Sequence, residues 1–130
     1  MTPPFRIRDC PIVAFVTVRD PERALGFYRD MLGLTLVSDE LPFALVFDAH
    51  GIMLRVAISQ QAIPVTGTVL GWRVQIIDDA VRALAAAGVL FERYGFLQQD
   101  ELGIWNSPGG ARIAWFKDPD GNVLSLSQHP

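Results

Sequence analysis

Little in this sequence could close a disulfide or hold a metal ion. It has one cysteine, Cys10, and two histidines, His50 and His129. A lone cysteine forms no internal disulfide, which suits a reducing compartment, and Cys10 before the first strand reads as a small packing residue rather than a nucleophile. The histidines fall in a turn and beside the C-terminus, so neither a Ser-His-Asp set nor a histidine-based metal site is in view. No apolar run approaches a membrane span, and Met1–Asp9 lacks the apolar core of a leader. Basic residues are not in excess: 11 Lys and Arg are interspersed with 14 Asp and Glu, for a net charge of −3. Without a basic stripe, nucleic acid is not the expected partner. There is no phosphate-binding glycine loop, because Gly109-Gly110 sits in a hairpin turn rather than before a helix. These absences leave a cytoplasmic globular chain that engages neither nucleic acid nor membrane.

What remains is rich in core-forming residues. Of 130 residues, 50% are hydrophobic and 19% charged, which suits one domain with a sizeable core. Residues 1–10 read as a lead-in. Ile12–Val18 is rich in β-branched residues and reads as a strand. Asp20-Pro21-Glu22 is a helix start with an Asp cap and Pro in the first turn. Ala24, Leu25, Tyr28, Met31 and Leu32 follow at helical spacing, with Phe27 beside them, and Gly33 stops the helix. Strands are expected at Leu34–Val37, Phe43–Phe47 and Ile52–Ile58, joined by Asp39–Pro42 and the turn Asp48-Ala49-His50-Gly51. Residues 59–68, with Pro64 and Gly67, read as a linker. Then come a strand at Val69–Val74, an alanine-rich helix at Asp78–Ala87, and strands at Val89–Tyr94, Leu102–Asn106 and Arg112–Phe116. A final arm follows the Asp118-Pro119-Asp120-Gly121 turn, where Pro fixes φ, Asp bonds the backbone and Gly supplies positive φ. The two turns, with Val46 and Phe116 each five residues before the turn glycine, suggest a duplicated unit. The expected class is α+β: two βαβββ modules, about 11–58 and 69–128, forming curved mixed sheets around a cavity.

Three stretches carry a family resemblance. Val16-x-Val18-x-Asp20, Ala24-Leu25-x-Phe27-Tyr28 and Leu32-Gly33-Leu34 resemble the first module of the glyoxalase/bleomycin resistance/extradiol dioxygenase superfamily, also called vicinal oxygen chelate. Phe116-Lys117-Asp118-Pro119-Asp120-Gly121-Asn122 resembles the signature of its second module. Asp100–Trp105 through Gly109-Gly110 is similar to small bacterial members. The resemblance spans roughly residues 11–128. It implies a paired-module fold, frequent homodimers and a cavity between modules. In metal-dependent relatives, a His or Gln on the first strand of each module and Glu residues on the last strands bind a divalent cation. The matching positions here are Val13, Arg55, Val69 and Ser125. Valine offers no ligand atom, a lone serine hydroxyl is a poor one, and arginine brings its own positive charge. No metal or other cofactor is therefore expected.

The resemblance places Val13, Phe15 and Thr17 on one face of the first strand, because strand faces alternate. Val69, Gly71 and Arg73, together with Arg55 and Ser125, would share the equivalent face. Such a face could hold an apolar ligand bearing an acid or polar oxygen. Arg55 and Arg73 could equally face solvent or pair with Asp100 or Glu101. Trp72, Trp105 and Trp115 are either cavity walls or ordinary core and dimer packing. Gln98–Glu101 form a loop that could cover the mouth. The expected function is metal-independent binding of a small molecule by a homodimer, with Val13, Phe15, Arg55, Val69, Arg73, Trp105 and Ser125 as candidate cavity residues. The alternative is a metal-dependent lyase, isomerase or dioxygenase with non-standard ligands. A module with no ligand at all is the third reading.

Overall fold

The computed structural model describes residues 3–130, so the first two residues of the lead-in lie outside it. The described part of the lead-in contains only a short 3-10 turn, Ile7–Asp9, with Phe5 and Ile7 exposed. Cys10 is also exposed, so it does not serve as a packing residue.

Among the described residues, eight strands form two four-stranded mixed sheets. The first contains β1 (Val13–Val18), β2 (Thr35–Glu40), β3 (Ala44–Ala49) and β4 (Ile52–Ile58), in the order β1-β4-β3-β2. The second contains β5 (Thr68–Arg73), β6 (Trp105–Asn106), β7 (Arg112–Lys117) and β8 (Val123–Gln128), in the order β5-β8-β7-β6. In each sheet the first strand runs parallel to the last, and the inner hairpin is antiparallel. A parallel pair needs a crossover, and the helices supply it. The helix α1 (Pro21–Ala24) continues as wider π-type turns over Leu25–Met31, and α2 (Ile77–Ala86) serves the second half.

The local chemistry explains these elements. Asp20 accepts hydrogen bonds from the Glu22 and Arg23 amides and caps α1. In the π-type turns, the Leu32 amide reaches back five residues to the Phe27 carbonyl. The widened turns allow the adjacent rings of Phe27 and Tyr28 both to be buried, edge to face at 5.0 Å. Helix α2 has no side-chain cap of its own. Instead the Gln128 side chain on β8 accepts from the Ile77 amide at 2.9 Å.

Three expectations are corrected. Val89–Tyr94 is not a strand; only Phe91 forms an isolated bridge, to Phe116. The expected strand at Leu102–Asn106 shrinks to Trp105–Asn106, because Leu102–Ile104 fold around the Asp100 carboxylate, which accepts from the Leu102 and Ile104 amides. Strand β2 runs on through Glu40, into what the sequence suggested was connection. The internal echo is also offset. Phe116 pairs with Leu124, and its counterpart is Phe47, which pairs with Leu54, rather than Val46. The C-terminal turn is one residue longer, because Asp118 gathers the Asp120 and Asn122 amides on its carboxylate.

One core joins both halves. Alternate residues of each sheet (Val16, Val18, Leu54 and Val56; Ala114, Phe116, Leu124 and Leu126) are buried with the helices. The Phe27 ring of the first half lies 6.2 Å from the Phe116 ring of the second. Asp118 and Asn122 are buried polar side chains in this core. Asn122 donates to the Thr17 carbonyl at 3.0 Å and to Asp118 at 2.8 Å.

Candidate functional site

Because the helices cover one face of each sheet, the other face of each is left open. The strand register decides which residues stand there. Phe15 on β1 sits beside Arg55 on β4, and Val13 beside Met53. Val13, Phe15 and Met53 are all substantially exposed, while the intervening Val16, Leu54 and Val56 are buried. On the second sheet Gly71 sits beside Ser125, Ser125 beside Trp115, and Arg73 beside Ser127.

The predicted residues therefore divide into two groups, one per sheet. Val13, Phe15 and Arg55 lie on the first open face. Arg73, Ser125 and Trp105 lie on the second, Trp105 through its ring partner Trp115 at 6.1 Å. Val69 departs from the expectation: it is the extra residue of a bulge, since Thr68 and Leu70 pair with the consecutive residues Val123 and Leu124, and it packs against the core. Trp72 is also turned to the covered face, stacked on Phe116 at 6.3 Å.

The charges on these faces are arranged simply. Arg55 pairs with Glu40 at 2.8 Å, not with Asp100 or Glu101. The Glu101 and Asp100 backbone carbonyls accept from Arg93, and the Asp100 carboxylate lies 3.9 Å from Arg112. Arg73 has no carboxylate within ion-pair distance among the described residues. An aromatic cluster flanks Ser125: Tyr94 packs edge-on against Trp115 at 5.5 Å, and Phe96 lies 5.7 Å from Tyr94. Burial, with Glu92 nearby, pushes the Tyr94 hydroxyl above its ordinary range.

Glu40 and Tyr94 are not apparent from sequence, because local pattern puts Glu40 in a loop and Tyr94 in a strand, whereas Glu40 ends β2 and Tyr94 lies outside any strand. The alternation of β7 would have put Trp115 beside Ser125. The 98–101 loop is fastened to its own backbone: the Gln99 amide group bridges Tyr94, Glu92 and Gly103.

The matched metal positions do not fit a divalent cation. Two are valines and one is an ion-paired arginine. At the fourth, the Ser125 hydroxyl occupies the space beside Gly71, where an added Cβ would lie 2.5 Å from it. No group of three or more His, Cys, Asp or Glu side chains among the described residues is placed to hold a metal. His50 occupies the β3–β4 turn with φ of 54°, and His129 is bonded to Ser127.

Comparison with known proteins bears out the two-sheet fold. The model of the Glyoxalase/Bleomycin resistance protein/Dioxygenase superfamily matches residues 12–126. No curated protein sequence matches significantly. Among solved structures, a lactoylglutathione lyase from Agrobacterium tumefaciens superposes with a TM-score of 0.71 at 18% identity, over 97% of this chain and 95% of that one. A superfamily member from Sphaerobacter thermophilus DSM 20745 gives 0.69 at 25% identity, over 93% and 99%. A genomically encoded fosfomycin resistance protein from Listeria monocytogenes gives 0.67 at 14% identity, over 92% of each chain.

Proposed function

From the premise that this chain belongs to the glyoxalase/bleomycin resistance protein/dioxygenase superfamily, we propose that it is a metal-independent small-molecule binding protein. It works as a cytoplasmic homodimer of two-module chains, in which a second copy covers the open sheet faces and encloses the ligand. One observation carries the reading. The positions that would ligate a cation hold Val13, Arg55, Val69 and Ser125, while the open faces offer Phe15, the Trp105–Trp115 pair, Arg55 and, at the edge of the second, Arg73. Aromatic rings supply apolar contact at low entropic cost, and a guanidinium recognises a carboxylate by paired hydrogen bonds. The ligand class is an aromatic or apolar molecule bearing an acid group.

A thermal-shift screen of aromatic carboxylates tests this, since a ligand that binds only the folded chain raises Tm by mass action. Hits are expected that persist in chelator and are lost in Arg55→Ala and Trp105→Ala. Turnover of a substrate that requires an added divalent cation contradicts the proposal.

A further inference from the structure

A cavity of about 730 Å³ lies between the two sheets and α2, mostly on the helix-covered side, and reaches the edge of the second open face at Gly71 and Arg73. Ala14 and Leu54 line it from the first sheet, Leu70 and Trp72 from the second, and Ala80 and Leu84 from α2. Protein interiors are close-packed, with few voids larger than a water molecule, and this volume falls in the range of ligand pockets, about 300–1,000 Å³. Among the described residues, the ionisable side chains in the lining are His50 and Arg73, and neither is acidic. Arg55 and Arg112 are each paired with a carboxylate, but Arg73 has none within ion-pair distance among the described residues.

We infer that this cavity is a second binding site, distinct from the open-face site of Phe15, Arg55 and Trp105, none of which lines it, and that it takes a monocarboxylate with an apolar tail. The tail is buried among the alanines and leucines, and the carboxylate is held at the rim by Arg73. An apolar lining excludes a ligand with polar groups along its length, because each would be desolvated without a partner. A basic rim with no acid discriminates against amines and favours an anionic head.

Calorimetric titration of the full chain with octanoate and with 1-octanol tests the inference. Octanoate is expected to bind with a Kd of about 1 mM or tighter, and about tenfold or more tightly than the uncharged alcohol, because a charge-assisted pair is stronger than a neutral one. Arg73→Gln removes the preference and leaves octanol binding. Ala80→Phe fills the cavity and abolishes both. Ala83→Phe, at an exposed position on the lining, does the same and covers the case in which Ala80→Phe fails to fold. No octanoate binding, equal affinity for octanoate and octanol, or binding that survives both alanine replacements overturns the inference. The open-face reading stands or falls separately, because its aromatic-acid hits are lost in Arg55→Ala and not in Ala80→Phe.

Discussion

The hydroxyl of Tyr28, on the first half's helix, donates to the Asp118 carboxylate in the second half's last turn, at 2.8 Å and fully buried. Asp118 also accepts from the side chain and amide of Asn122 and the amide of Asp120. One carboxylate thus shapes the turn and ties the halves together. Tyr28→Phe leaves a buried acceptor short of a partner and is expected to cost about 1–3 kcal/mol in urea unfolding. Burial first, and Asp118 second, push the Tyr28 hydroxyl far above its ordinary range. A raised folded-state pKa gives stability that is present below the unfolded value and lost as pH rises past it. Stability should therefore fall as pH rises above about 10, and that fall should be shallower in Tyr28→Phe. An equal fall in both proteins would remove Tyr28 as its source.

Gly121 has φ of 89°, and a Cβ there would meet Pro64 Cγ at 3.3 Å. Gly121→Ala should lose about 1–2 kcal/mol from the left-handed backbone alone. Unchanged thermal unfolding would contradict the turn geometry.

Arg112 on β7 pairs with Asp78 at the start of α2, at 2.6 Å. The hydrogen bond from Arg112 holds the Asp78 carboxyl below its ordinary range. A lowered folded-state pKa gives stability that is present above the unfolded value and lost as pH falls through the folded one. Acid unfolding should therefore begin below about pH 4 and be less steep in Arg112→Gln. An identical acid limb in wild type and variant would count against the pairing.

Much of this architecture was legible in the sequence, because strand alternation, the Asp20-Pro21 helix start and the Asp118–Gly121 turn are local signals. The alternation of β1 placed Val13 and Phe15 on the open face. Other features were not legible because they depend on pairing across the fold. The partner of Arg55 depends on β2 extending through Glu40, which brings that carboxylate across from β4. Val69 left the open face through a bulge that no local pattern announces. The cavity beneath α2 arises where alanines from separate elements converge, and sequence spacing does not reveal that.

Arg55 and Glu40 form a pair that is partly open to solvent. Arg55→Ala should therefore cost no more than about 1 kcal/mol of stability, yet abolish the Tm shift produced by aromatic acids. Loss of that shift together with a large loss of stability would assign Arg55 a structural role instead.

If the chain binds its ligand without a metal, neither purification nor chelation should change its affinity. Elemental analysis of protein purified without chelator, with ligand binding measured before and after chelator treatment, tests this most directly. Divalent metal well below one ion per chain is expected, with binding unaffected by the chelator. A stoichiometric divalent ion whose removal abolishes binding would contradict it.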